Sequence, residues 1–393
     1  MSDAPLDIDA LRAQTQGCQH VLHFDNAGAS LQPDCVHDAV SDYLDTERRI
    51  GGYATSRLYH DSLASFYTEF AKLLNCNGEE IAFVENATRA WDMAFYSIDL
   101  QPGDRILTAK SEYVSNVLAC LQVAQSRGVI VDVVPDDEFG QLDVNALESM
   151  IDERVKLISI THVPTQGGLV NPAEKIGEIA NRHGILYLLD ACQSVGQMPV
   201  DVQAIGCDML SGTGRKFLRG PRGTGFLYVK SDLIEQLNPP FIDLQAGTWT
   251  AAKDYRFRPD ARRFENWERF FAGQVGLAKA AEYARNLGLQ SLYERTQTLA
   301  QTLRDGLSGI PGVSVHDLGR EKCGIVTFLH ERHDAQEVHR KMAAQDINVS
   351  TSTRTSARWD FEDRNLTALT RASVHYFNTD AEIERFCEQI EGL

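Results

Sequence analysis

The sequence predicts an α/β protein in two parts. A large domain built on a mostly parallel sheet spans residues 20–280, and a smaller α+β domain spans 281–393, with residues 1–19 packing near the second. Three observations carry this expectation. From residue 79 onward, short β-rich runs alternate with longer segments of helical period. The runs are apolar almost throughout, not at every second position, which describes strands covered on both faces. The chain also has 393 residues, beyond the roughly 250–300 at which a single core usually stops growing.

The strands follow in order as Ile81–Val84, Arg105–Thr108, Val129–Val134, Lys156–Ile160, Ile185–Leu189 and Gly225–Val229. Segments with a 3.6-residue period separate them at Thr88–Ser97, Val114–Ser126 and Ala173–His183. Gly184, directly after His183, fits a helix C-terminus that feeds the next strand. After about residue 275 the pattern changes. Two long helical stretches, 274–287 and 290–308, lead into a strand at Gly324–Leu329, a helix over 334–345, and a strand pair Ile347–Ser350 and Arg371–Val374.

Composition excludes several classes of function. With 38 Lys+Arg against 55 Asp+Glu, the formal net charge is −17, a surface that repels nucleic-acid phosphates and anionic lipid. The acidic start, Met1 to Asp7, runs into no apolar segment of the secretory kind, and no stretch of about 18 apolar residues suggests a spanning helix. The eight cysteines are scattered without a CxxC pair, and no metal-ligand spacing appears. The expectation is a cytoplasmic protein with free thiols, no metal, no nucleic-acid partner and no membrane.

Four local features fall at predicted C-terminal strand ends, the edge at which open α/β sheets bind ligands. Glu85-Asn86-Ala87-Thr88-Arg89 closes a strand and opens a helix, offering backbone N–H groups and a hydroxyl to a phosphate, or a plain threonine N-cap. Leu189-Asp190-Ala191-Cys192-Gln193-Ser194 ends an apolar strand with a carboxylate that needs a partner, unless it caps a helix. Ser211-Gly212-Thr213-Gly214-Arg215-Lys216 sets a lysine in a glycine-rich loop. The P-loop spacing fails there, because Phe217 stands where a Ser or Thr would meet magnesium. Arg371-Ala372-Ser373-Val374-His375 places an arginine that reads equally as a surface residue.

As an ordered set, with Asp190 about 26 residues before Lys216, these features resemble the class V aminotransferases, which are fold type I pyridoxal-phosphate (PLP) enzymes. The resemblance runs from Phe24-Asp25-Asn26-Ala27-Gly28 to Asn378-Thr379. It implies PLP as the cofactor, Lys216 as the residue that binds it covalently, and Asp190 as partner of the ring nitrogen. Gln193 is implied as partner of the ring hydroxyl and Tyr113 as the group stacked on the ring. Thr88, Thr213 and Arg215 would hold the phosphate, with the N–H groups of Ala87, Thr88 and Arg89. Arg371 matches the position that pairs with a substrate carboxylate, and Arg354 and Arg358 read either as contacts to a second anionic group or as solvated charges. A small amino-acid substrate and a homodimer are implied as well.

Departures from the family pattern shape the expected reaction. The usual Thr-His-Val-Ser-Asn run is Thr161-His162-Val163-Pro164-Thr165, and Arg215 stands in place of a histidine. A stretch ending Gly-Thr in the family reads Arg263-Phe264-Glu265-Asn266-Trp267, with Trp267 expected in the core or as a pocket wall. The loop on which cysteine desulfurases carry a nucleophilic cysteine, Val349 to Trp359, contains none, and Cys323 reads as buried and inert. The resemblance therefore points to the C–S lyase branch, which includes hercynylcysteine sulfoxide lyase, with isopenicillin N epimerase-like proteins as neighbours. The expectation is β-elimination on a cysteine S-conjugate or sulfoxide, releasing pyruvate and ammonia without an enzyme persulfide. An aminotransferase or an amino-acid epimerase on the same scaffold, and a non-catalytic α/β binding protein, are the alternatives.

Overall fold

A computed structural model describes residues 6–393. Its strands are β1 Leu22–His23, β2 Ile81–Val84, β3 Arg105–Thr108, β4 Ile130–Val133, β5 Val155–Thr161, β6 Leu186–Asp190, β7 Met209–Thr213 and β8 Gly225–Val229. There follow β9 Gly247–Ala251, β10 Asp254–Phe257, β11 Val313–Val315, β12 Ile325–His330, β13 Ile347–Asn348, β14 Ser350–Thr353 and β15 Ala368–Ser373.

Seven strands form the central sheet in the order β2-β8-β7-β6-β5-β3-β4. Neighbours from β7 to β4 run parallel, and β8 is antiparallel to both β7 and β2. The parallel connections need long crossovers, supplied by the helices Ala87–Phe95, Val114–Arg127 and Ala173–His183. Only β7 to β8 returns directly, through residues 214–224, and that return reverses β8. The apolar runs are explained by burial on both faces. Ile106, Leu157, Leu188, Met209 and Leu227 pack on one side, and Leu107, Ile158, Leu189, Leu210 and Phe226 on the other.

Because the strands are parallel, their C-terminal residues share one edge. The register sets Thr161 beside Asp190, and Asp190 beside Ser211. The crossover helices Val114–Arg127 and Ala173–His183 end on left-handed glycines, Gly128 (φ 72°) and Gly184 (φ 64°), as helices of this kind commonly do.

A second, antiparallel sheet has the order β11-β12-β15-β14. It packs with the helices Leu289–Ser308 and Asp380–Glu391 around Leu299, Leu303, Phe328 and Phe386. The N-terminal segment ties into this part. β1 pairs parallel with β13, Asp25 bridges Ser373, and Arg12 lies 2.8 Å from Glu382.

Two sequence expectations differ from the structure in detail, and one element had no sequence expectation. The predicted pair Ile347–Ser350 with Arg371–Val374 divides. Ile347 and Asn348 pair with β1, and Ser350–Thr353 pairs with β15. The hairpin β9–β10 carries no sequence signal of burial because its residues face outward, with Trp249 79% exposed. Trp267 is neither in the core nor at the cavity of the parallel-strand edge; it is 41% exposed.

Gly177 shows how tightly the layers pack. A Cβ there would lie 1.7 Å from the carbonyl oxygen of Ile205, where the helix Ala173–His183 crosses Val202–Ile205. Backbone cannot yield as a side-chain tip can, so Gly177→Ala is expected to destabilise the protein by about 1–3 kcal/mol. Denaturant titration checks this. Gly51→Ala, which meets no atom within 4 Å but has φ 83°, isolates the backbone penalty without the clash.

Candidate active site

A cavity of about 100 Å³ opens at the C-terminal edge of the parallel strands. Its lining comes from segments far apart in sequence: Asn86, Ala87 and Thr88; Tyr113; Thr161, Val163 and Thr165; Asp190, Cys192 and Gln193; and Thr213, Arg215 and Lys216.

Lys216 sits in the β7–β8 return. Its side chain is buried, yet among the described residues no hydrogen bond or ion pair holds its amine. Burial lowers its pKa below the usual lysine value, partly offset by the nearby Cys192 and Asp190. The Nζ lies 5.9 Å from the centroid of the Tyr113 ring. The return is fixed by backbone bonds from Gly214 N to Thr224 O (3.1 Å) and from Gly220 N to Gly214 O (2.7 Å). Arg219 anchors it from below. Its buried guanidinium donates to Leu31 O (2.8 Å), Tyr376 Oη (2.6 Å) and Thr15 Oγ1 (2.7 Å), and stacks on Phe377 at 4.4 Å.

Asp190 ends β6 with its carboxylate oriented by two donors. Asn116 Nδ2 reaches Oδ2 at 3.0 Å, and the Cys192 N–H reaches Oδ1 at 2.9 Å. Behind it, Glu112 is buried and accepts from Thr161 N (2.7 Å) and Thr161 Oγ1 (2.6 Å). Burial pushes the Glu112 carboxyl up to about 8.

The helix Ala87–Phe95 starts at the cavity, capped by Asn86 and not by Thr88; Asn86 Oδ1 accepts from Arg89 N at 2.9 Å. This leaves the Thr88 side chain at the cavity wall. Gly225 permits the approach, since a Cβ there would lie 2.6 Å from the Asn86 carbonyl carbon and 2.9 Å from Ala87 N. Arg89 itself points away, its guanidinium 4.5 Å over the Phe241 ring.

Gln193 donates its amide to Ala27 O and Thr165 Oγ1, both at 3.0 Å, and its Oε1 has no partner among the described residues. Arg215 donates to Gly28 O. Arg371, on β15, donates to Thr165 Oγ1 at 2.6 Å and to Asp25 Oδ1 at 2.9 Å. Arg358 does not reach the cavity, against the sequence expectation. It opens the helix Arg358–Asp363 and lies 2.7 Å from Glu362 one turn on, an exposed i,i+4 pair. Arg354 is likewise occupied, donating to Leu366 O.

Sequence reasoning gave no role to Asn116, Asp25 and Arg219, and read Thr165 only as a departure from the family pattern. Asn116 stands three residues after Tyr113 on the same helix start, a spacing that marks a shared face. The others act across sequence separations that no local pattern reveals.

The residues at the cavity fit a flat pyridine ring bearing an aldehyde and a phosphate. An unpaired amine, an oriented carboxylate, a helix start flanked by the Thr88 and Thr213 side chains, and the unpartnered Gln193 Oε1 line one space. The family described as aminotransferase class-V matches residues 22–386. The chain belongs to this family. A probable cysteine desulfurase of Methanothermobacter thermautotrophicus is 29% identical over 399 residues, covering 100% of this chain and 97% of the relative. The apo structure of a cysteine desulfurase from Thermococcus onnurineus NA1 superposes with a TM-score of 0.92 at 25% identity, covering 100% of this chain and 99% of that one. A C-DES variant with glycine covalently linked to its PLP cofactor matches at 21% identity, TM-score 0.87, over 97% and 98% of the two chains.

This class V member is thus a fold type I, PLP-dependent enzyme. The expected persulfide-free elimination does not stand. Relatives matched over nearly the whole chain bear the name cysteine desulfurase, and so does the solved structure. The transaminase and epimerase alternatives fare no better. That expectation leaned on a few local departures, among them the Thr161–Thr165 run and a loop without a cysteine, and these do not outweigh similarity along the entire chain.

His162 gives the site region a pH dependence. Its Nδ1 has no partner among the described residues, and burial lowers its pKa from 6.5 to about 4. The folded state therefore binds fewer protons here than the unfolded chain between those values. The stabilisation is complete above pH 6.5 and is lost as pH falls toward about 4, on the order of 3 kcal/mol. Denaturant titrations across pH 4–7 should show a shallower slope for His162→Gln than for the parent.

Proposed function

We propose that this enzyme takes L-cysteine and passes its sulfur to a thiol, leaving alanine. The observation that carries the reading is the buried, unpaired amine of Lys216 sharing one cavity with Asp190, in a chain similar end to end to proteins named cysteine desulfurase.

Each side chain has a part in this proposal. Arg371 binds the substrate carboxylate, and Tyr113 lies against the cofactor ring. Asp190, held by Asn116, keeps a proton on the ring nitrogen. Gln193 meets the ring oxygen. Thr88, Thr213, Arg215 and the N–H groups at the helix start hold the phosphate. When bound, PLP draws the electron pair released at the substrate Cα into its ring. Lys216 holds the cofactor and, because burial favours its neutral amine, takes the proton from Cα. An acceptor thiolate then bonds to the cysteine sulfur as the C–S bond breaks. The electron pair stays on Cβ, which takes a proton, Lys216 returns the proton to Cα to complete alanine, and the acceptor leaves as a persulfide. Val163 and the Tyr113 ring help exclude water from the cavity.

Loaded with PLP and given L-cysteine and dithiothreitol, the protein is expected to form alanine and sulfide in equal amounts. Lys216→Ala should form neither. Pyruvate and ammonia in place of alanine would sink the proposal, and amino-acid chromatography separates the outcomes.

Two finer readings accompany it. We propose the division at residue 280 into a cofactor-binding part and a smaller C-terminal part, in a cytoplasmic homodimer. Exposed Tyr53 and Leu58 on the helix Gly52–Leu58, and Trp249 on β9, support a partner surface. Light scattering should return twice the chain mass, and Trp249→Glu should lower it.

A further inference from the structure

Arg371 is already engaged before any substrate arrives. One terminal nitrogen donates twice to Thr165, to Oγ1 at 2.6 Å and to the backbone oxygen at 3.2 Å. The other donates to Asp25 Oδ1 at 2.9 Å, and the buried Nε has no partner among the described residues. A guanidinium offers five N–H donors in a fixed fork. With one terminal nitrogen pinned by Thr165, the edge left for a carboxylate is the one formed by Nε and the nitrogen that Asp25 touches.

Asp25 is seated there by construction. It follows β1, and its backbone oxygen accepts from Gly28 N at 3.0 Å. Its carboxylate folds over Gly28 so closely that a Cβ would lie 2.4 Å from Oδ2 and 2.6 Å from Oδ1. The same turn supplies Ala27 O to Gln193 and Gly28 O to Arg215. A carboxylate is thus built into the turn that braces three of the site's side chains.

We propose that Asp25 is a specificity-determining residue, an internal counter-ion that competes with the substrate carboxylate for the free edge of Arg371. The inference rests on the proposed role of Arg371 in binding that carboxylate. Asp25 holds the guanidinium in place while unliganded and weakens every carboxylate that binds, so the site releases amino acids readily.

The test reads binding and needs no sulfur chemistry. PLP-loaded protein is titrated with L-alanine and with ethylamine, which lacks only the carboxylate, following the cofactor absorbance. Asp25→Asn is expected to tighten L-alanine about tenfold while leaving ethylamine within about twofold, the scale of one neighbouring charge in a partly solvated site. Asp25→Ala should shift in the same direction, which separates charge from packing. Unchanged or weaker L-alanine binding in both variants, or an equal shift for ethylamine, overturns the proposal. Arg371→Lys is the control for its premise. If that change leaves the preference for L-alanine over ethylamine intact, Arg371 does not bind the carboxylate and the role of Asp25 falls with it.

Discussion

A lysine amine held inside protein, beside a carboxylate but not bonded to it, is the constraint on which this structure turns. Lys216 is buried without a partner among the described residues, and Asp190 nearby is occupied by Asn116 and by the Cys192 N–H. Left to themselves, a buried amine and a carboxylate would close into a salt bridge, and breaking such a pair is costly. Here the carboxylate is satisfied by neutral donors, so the amine stays free and burial drives it toward its neutral, nucleophilic form. A reactive amine is thereby obtained without an uncompensated buried charge.

Keeping the two groups apart falls to the backbone. Asp190 ends a parallel strand flanked by β5 and β7, which fixes it against the sheet. Lys216 follows the next strand, but the direct return to antiparallel β8 carries it back over the same edge. Arg219 holds that return from beneath, with no carboxylate among its contacts. A guanidinium can be buried this way because three oxygens and an aromatic face share its hydration. Its partners, Thr15, Leu31 and Tyr376, join the N-terminal segment and the C-terminal part to the lysine loop.

Lys216 and Asp190 were legible in the sequence because each breaks a strong local pattern. Asp190 ends an apolar strand, and Lys216 sits among glycines before another. The sheet's two covered faces are legible because its runs lack alternation, as the split of Ile106 and Leu107 to opposite sides bears out. The contacts of Asn116, Thr165, Asp25 and Arg219 were not legible, since polar residues at helix starts and turns are ordinary and their partners lie far along the chain. Arg358 misled for the converse reason. A cation in a loop near the site looked available, but Glu362 one turn away had already taken it.

The charge pattern makes sense of a net −17 around an anion site. Away from the cavity, several arginines are consumed by carboxylates: Arg304 by Asp317, Arg105 by Asp132 and Asp152, Arg182 by Glu148. At the cavity, Arg215 is held by a backbone carbonyl. Neutral acceptors position a cation without cancelling its charge, so Arg215 keeps its charge for an anion within a negative surface. Arg371 is the exception, sharing one nitrogen with Asp25. A site that must bind a phosphate for good and an amino acid only for one turnover gains from that difference. A cation held only by a carbonyl, as Arg215 is, suits a permanent anion, and a cation already half-satisfied suits one that has to leave.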